Sequence, residues 1–165
     1  MLPNHHKEIA RFLKEQISGQ PKIHEYRDDN GHRPVDVGCF GGSFFSTIGA
    51  CDTTQNIPSG CFEFAASGNS KWLPNAIVSS IYWLKSRTFS QWPLVCEDAV
   101  KQNVKSKYRH MAYIPSPFTL ALSSGQNLQW LLGVPVTDLE INLSAGAVEQ
   151  KARKLYPQWL FNEPA

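Results

Sequence analysis

Residues 128–140 read LQWLLGVPVTDLE, and how this stretch folds decides the architecture. Leu128, Trp130 and Leu132 alternate with Gln129 and Leu131, so both faces of a strand here are largely apolar, as suits an inner strand. Gly133 and Pro135 stop any regular ladder, the first for want of a side chain and the second for want of an N–H. Thr137-Asp-Leu-Glu140 follows with capping-box spacing, in which the threonine hydroxyl and the glutamate carboxylate satisfy free N–H groups at a helix start. A buried strand thus feeds a capped helix that lies back across the sheet.

Before this stretch, residues 108–114 and 118–123 read as strands separated by proline punctuation. Pro74 suits the first turn of a helix over 74–87, where Ile77, Ile81 and Leu84 form an apolar stripe. Residues 88–107 show no clear pattern. Toward the N-terminus, CFEFAAS at 61–67 places Phe62 and Phe64 on one strand face, and 34–40 and 43–51 make a hairpin about Gly41-Gly42. Residues 22–26 fit a short strand. Ile9, Phe12, Leu13 and Ile17 recur at helical spacing over 5–17, closed by Gly19 and Pro21. The C-terminal 137–156 is helical in two pieces, because Ser144 and Gly146 weaken its middle, with Leu139, Leu143, Val148, Ala152 and Leu155 toward a common core. This order predicts one α/β domain over 1–165, an α+β sandwich whose mixed, largely antiparallel sheet is covered by helices.

The chain of 165 residues is long enough to fold without metals or disulfides. A formal net charge of +2 points to neither a nucleic acid nor a membrane as partner, and the cationic run KQNVKSKYR at 101–109 reads as a solvated face. MLPNHHKEIARFLKEQ puts charges where a signal peptide needs an apolar core, and no apolar run is long enough to span a bilayer, so a cytoplasmic location is expected. Cys39, Cys51, Cys61 and Cys96 show no zinc-like spacing and are expected to be reduced.

Candidate chemistry is sparse. His5 and His6 adjoin at a helix start, where successive side chains point to different faces, so both are expected in solvent and no metal is expected. His24, His32 and His110 fall in separate segments, and no phosphate- or dinucleotide-binding motif occurs, so no cofactor is expected. Cys51-Asp52, at the end of a strand, is the best nucleophile candidate, against the plainer reading of a buried thiol. Asp36 and Glu63, taken to lie on neighbouring strands, are the carboxylate pair for acid–base work, against the plainer reading of surface acids. Trp130 belongs to the core. Trp72 and Trp92 flank the second helix in polar, proline-containing context, where they either seal the helix on the sheet or stand as interface anchors.

Several stretches together resemble the Suppressor of fused family, in particular its small bacterial members. They are PVDV at 34–37, STIGACD at 46–52, FEFAAS at 62–67, the helix at 74–87, SPFTLAL at 116–122 and LQWLLGVPVTDLE at 128–140. The similarity covers about residues 30–156 and departs at Ala50-Cys51, where many members carry Met-Ser, and over 88–107. It implies an α/β sandwich without catalysis that works by binding another protein. Animal relatives restrain a transcription factor in Hedgehog signalling. Bacterial relatives are often encoded beside polymorphic toxins, which implies an immunity protein that binds a cognate toxin domain one to one. A regulatory adaptor with an endogenous partner, and an enzyme built on Cys51 or a carboxylate pair, are the competing readings. The expected binding surface is the loops at 27–33 and 52–60, with Asp28, Asp29 and Asp52, and with Trp72 and Trp92 as anchors.

Overall fold

The computed structural model describes residues 2–27, 34–54, 57, 60–87, 89, 91–100 and 105–162. Seven strands form one mixed sheet: β1 (Lys22–Tyr26), β2 (Val35–Phe40), β3 (Phe44–Ile48), β4 (Cys61–Ser67), β5 (Leu94–Cys96), β6 (His110–Ala121) and β7 (Asn127–Val136). Their spatial order is β1-β2-β3-β4-β7-β6-β5. Every neighbouring pair is antiparallel except β4 and β7, which run parallel from Cys61 opposite Leu128 to Ala65 opposite Leu132. Three helices cover it: α1 (Asn4–Gln16), α2 (Leu73–Leu84) and α3 (Ala145–Leu155). The α+β sandwich expected from the sequence is the fold.

Strand alternation sorts the apolar side chains into two cores. Phe62, Phe64 and Ala66 of β4 and Met111 and Tyr113 of β6 pack with Ile77, Ile81 and Leu84 of α2 on one face. On the other face, Trp130, Leu132 and Val134 of β7 meet Ile9 and Leu13 of α1 and Val148 and Ala152 of α3. Trp130, expected in the core, is fully buried, and its indole N–H donates to Ser46 Oγ at 2.9 Å.

The ladder does not stop at Gly133 and Pro135. It continues along β6, with Tyr113 opposite Gly133 and Met111 opposite Pro135. The pairing with β4 ends at Leu132, so the missing proline N–H falls where β7 is bonded on one side only. A Cβ on Gly133 would lie 2.6 Å from the Tyr113 ring and 2.9 Å from the Ala65 carbonyl. The glycine therefore lets the strands close around Tyr113. Where β4 and β7 part, the Tyr156 hydroxyl sits between them and shares its one proton between the Gly133 carbonyl at 2.7 Å and the Ala65 carbonyl at 3.0 Å.

Three further expectations change. Residues 108–114 and 118–123 are one strand, β6, which absorbs its prolines in an irregularity between Pro115 and Thr119, where the Ser116 hydroxyl donates to the Trp130 carbonyl. The capping box at Thr137 opens a single 3-10 turn at Asp138–Glu140, with Glu140 accepting the Thr137 N–H at 3.0 Å. The long helix starts afresh at Ser144, whose hydroxyl accepts the Ala147 N–H. Leu139 accordingly points away from the core and is 97% exposed, and Leu155 is also exposed.

Candidate functional site

β3 ends at Ile48, three residues sooner than the sequence suggested, because Gly49 turns the chain with φ +98° into a 3-10 turn at Ala50–Asp52. Glu63, in the middle of β4, organises that turn. One carboxylate oxygen accepts the Thr47 hydroxyl at 2.8 Å and the N–H groups of Gly49 and Ala50 at 2.9 and 3.0 Å; the other accepts the Cys51 N–H at 3.0 Å. Glu63 is fully buried. Burial pushes its carboxyl above the ordinary range, against the pull of these bonds. It is no surface acid, and β3 separates its strand from that of Asp36, so the two do not form an acid–base pair on adjacent strands.

The turn delivers Asp52 to the start of α1. His5 Nε2 lies 2.8 and 3.0 Å from the two carboxylate oxygens of Asp52, and His6 Nε2 lies 2.7 Å from Oδ2. The expectation that the adjacent histidines face apart into solvent is corrected: their rings meet edge to face with centroids 4.4 Å apart. The helix start permits this, because both rings reach back over the first turn toward one acceptor. A Cβ on Gly49 would sit 2.3 Å from the His6 ring, so only glycine leaves room for it. Burial opposes charge on Asp52, yet the bonds from His6 and His5 outweigh it and hold the carboxyl below its usual range.

Cys51 sits on the turn and is 9% exposed, with its Sγ 3.8 Å from Asp52 Oδ1. Its bond to Cys61, its burial and the charge of Glu63 all push the thiol up, away from the thiolate a nucleophile requires. Among the described residues, a ring nitrogen of His5, Cys51 Sγ and a carboxylate oxygen of Asp52 lie within 4.8 Å of one another.

His5 and Asp52 line a cleft of about 390 Å³ with Asn4, Glu8, Ser123, Ser124 and Gln126. Glu8 fixes the β6–β7 hairpin to α1 by accepting the Ser123 N–H and hydroxyl at 2.9 and 3.0 Å. Tyr26 and Val35, which bracket the 27–33 stretch, are paired at this same end of the sheet, since Asp36 lies opposite Ile48. Asp28 and Asp29 themselves lie outside the described residues, as does His32. Trp92 is at this end too, packed edge-on against Phe62 near the start of β4 and 37% exposed.

Trp72 is at the opposite end. With Ser67, Leu73, Tyr108, Pro135, Lys151 and Lys154 it lines a second cleft, of about 290 Å³, beyond the carboxyl ends of the parallel β4 and β7. The structure therefore gathers Asp52 and Trp92 at one end and separates them from Trp72. Sequence reasoning missed His5, His6 and Gly49. The available signal was the lone acid in CFEFAAS, a strand otherwise apolar or small on both faces, which needs a nearby turn to donate to it.

No protein-family model matches the chain, and a search of curated proteins finds no match. Among the described residues no helix is long and apolar enough to cross a membrane.

Proposed function

We propose that the chain is a non-catalytic protein-binding domain that neutralises a cognate bacterial toxin as an immunity protein, through the end of the sheet where Asp52 and Trp92 lie. The observation that carries this reading is the convergence of α1, the turn after β3 and the β6–β7 hairpin on one cleft, with an exposed tryptophan at the same end. Loops held on a packed sheet are suited to recognition, because they vary while the layers beneath them do not. Acidic groups line the cleft in a chain of +2 net charge, which fits a basic partner met through a local patch. The candidate catalytic groups favour binding over chemistry. Glu63 is occupied by four donors, Asp52 by two histidines, and the Cys51 thiol is held protonated. The likeness to small bacterial Suppressor of fused proteins supplies the class of partner.

The test is coexpression with the toxin-like product of the neighbouring reading frame in a sensitive host. Rescue of growth, together with co-purification of the two chains in equal amounts, is the expected result. Rescue without a complex would refute the binding mechanism, and a complex with an unrelated endogenous protein would favour the adaptor reading.

A further inference from the structure

We propose that His5, Cys51 and Asp52 form a binding site for a divalent transition metal of the zinc type, with a fourth coordination position open to the cleft. The donors are one imidazole nitrogen, one sulfur and one carboxylate oxygen, the mixed set that zinc accepts and that magnesium and calcium, which prefer oxygen alone, do not. Ligands at about 2.0–2.3 Å around a tetrahedral ion stand roughly 3.3–3.8 Å from one another. Cys51 Sγ and Asp52 Oδ1 already have that separation at 3.8 Å. His5 Nε2 stands 2.8 Å from Asp52 Oδ1 and within 4.8 Å of Cys51 Sγ, so the His5 ring must rotate to open the first by about half an ångström and bring Nε2 toward the sulfur.

The surroundings suit a metal as well. His6 donates to Asp52 Oδ2 at 2.7 Å and so fixes the plane of the carboxylate from behind, the usual role of an outer hydrogen bond on a ligating acid. Cys51 is held by its own N–H on the buried Glu63, so the sulfur is positioned by the core and not by a mobile loop. On the open side lie Asn4, Glu8, Ser123 and Gln126, polar groups that would receive a metal-bound water or an incoming ligand. Binding releases one proton, from the Cys51 thiol to solvent. Asp52 is already ionised, and the His5 Nε2, which donates to it in the metal-free chain, gives up its proton as Nδ1 takes one from solvent, so that its lone pair faces the metal. The thiolate and the carboxylate then balance the dication, leaving a neutral centre beside Glu63 in place of the single negative charge of Asp52. The site joins the start of α1 to the turn after β3 whether or not a partner protein is bound.

The test uses the untagged full chain, stripped with chelator and titrated with Co²⁺ and then Zn²⁺. One equivalent of Co²⁺ should give the visible absorption of a four-coordinate ion and a thiolate-to-cobalt charge-transfer band, both abolished by one equivalent of Zn²⁺, and Zn²⁺ should raise Tm. Cys51→Ser should remove the charge-transfer band. His5→Gln should remove the visible absorption, and His6→Gln should weaken binding about 10- to 100-fold. His24→Ala, on the exposed β1, should change nothing. A folded wild-type chain without the cobalt spectrum, and with the same Tm in zinc and in chelator, would show that the cluster is a hydrogen-bonded ion pair only. A spectrum retained by both Cys51→Ser and His5→Gln would place the metal elsewhere and equally overturn the assignment.

Discussion

The two clefts lie beyond opposite ends of β4 and are built from opposite chemistry. At its start, Asp52 and Glu8 line the cleft with His5, over a turn that directs the N–H groups of Gly49, Ala50 and Cys51 inward onto Glu63. At its end, Lys151 and Lys154 stand over Trp72 and Tyr108, beyond strands that have separated around Gly133. The first end is tied together by side chains far apart in sequence, His5 to Asp52 and Glu8 to Ser123. The second has long-range ties of its own, the Ser67 hydroxyl donating to the Leu155 carbonyl at 3.0 Å, beside Trp72 against Tyr108 and Glu140 paired with Lys151. Long-range polar ties fix a surface without filling it with apolar side chains, so they leave a shaped and wettable site. Both ends have such ties, so what sets the first apart is its acidic lining and the exposed Trp92 beside it, against the lysines of the second.

The sharpest way to break the contrast is to remove its internal anchor. Glu63→Leu would leave three backbone N–H groups and the Thr47 hydroxyl unpaired, and should cost about 3 kcal/mol or more in urea unfolding. Glu63→Gln, which keeps one acceptor oxygen, should cost less, about 1–2 kcal/mol. A Glu63→Leu protein of wild-type stability would mean that the turn does not depend on this carboxylate. Next in size is a binding effect. Trp92→Ala should weaken the partner complex about 30-fold, ~2 kcal/mol, while Trp72→Ala leaves the affinity unchanged. The reverse result would move the interface to the lysine-lined end.

How much of this was legible follows from the range of each interaction. β1 and β4 match the spans read from local alternation, and α1 differs by one residue, because period and punctuation are properties of neighbouring residues. Local punctuation splits β6 in two at Pro115-Ser116-Pro117, because what holds the strand together across them, the Ser116 hydroxyl on the Trp130 carbonyl, comes from the partner strand β7. Helical spacing turns Leu139 toward the core, but the 3-10 turn does not have that spacing. The histidine pair was illegible for a different reason. Forty-seven residues separate His5 from Asp52, and nothing local to either announces the other.

Smaller effects sharpen the view of the second end. Ser144→Ala should cost about 1 kcal/mol, because Ser144 caps the eleven residues of α3. Thr137→Ala should cost less, since the Glu140 carboxylate, and not only the threonine, holds the single turn there. Equal losses in the two variants, measured by thermal unfolding, would contradict that ranking. The smallest effect is one of pH. The Lys151 ammonium and the Thr137 N–H hold the Glu140 carboxyl below its ordinary value of 4.5. A depressed acid stabilises the fold above its unfolded pKa and loses that contribution as pH falls through the folded one. Glu140→Gln should therefore lower stability slightly near neutrality and converge with the wild type at acid pH below that range. Screening by solvent keeps the difference small. A constant difference at every pH would mean that the charge on Glu140 plays no part.

The central claim is that protection works by stoichiometric occupation of a partner at the Asp52 and Trp92 end. A protein that does no chemistry must bind each target molecule and remain bound, and an interface of ordinary size, ~800 Å² per partner, is enough for nanomolar affinity when a few anchors are buried. The most direct measurement titrates a fixed amount of toxin activity with this protein, at concentrations well above the dissociation constant. Activity should fall linearly to a sharp endpoint at one to one, and the endpoint should blur on charge reversal of Asp28 and Asp29 together with Trp92→Ala. Inactivation of many toxin molecules by each copy of the chain would contradict it.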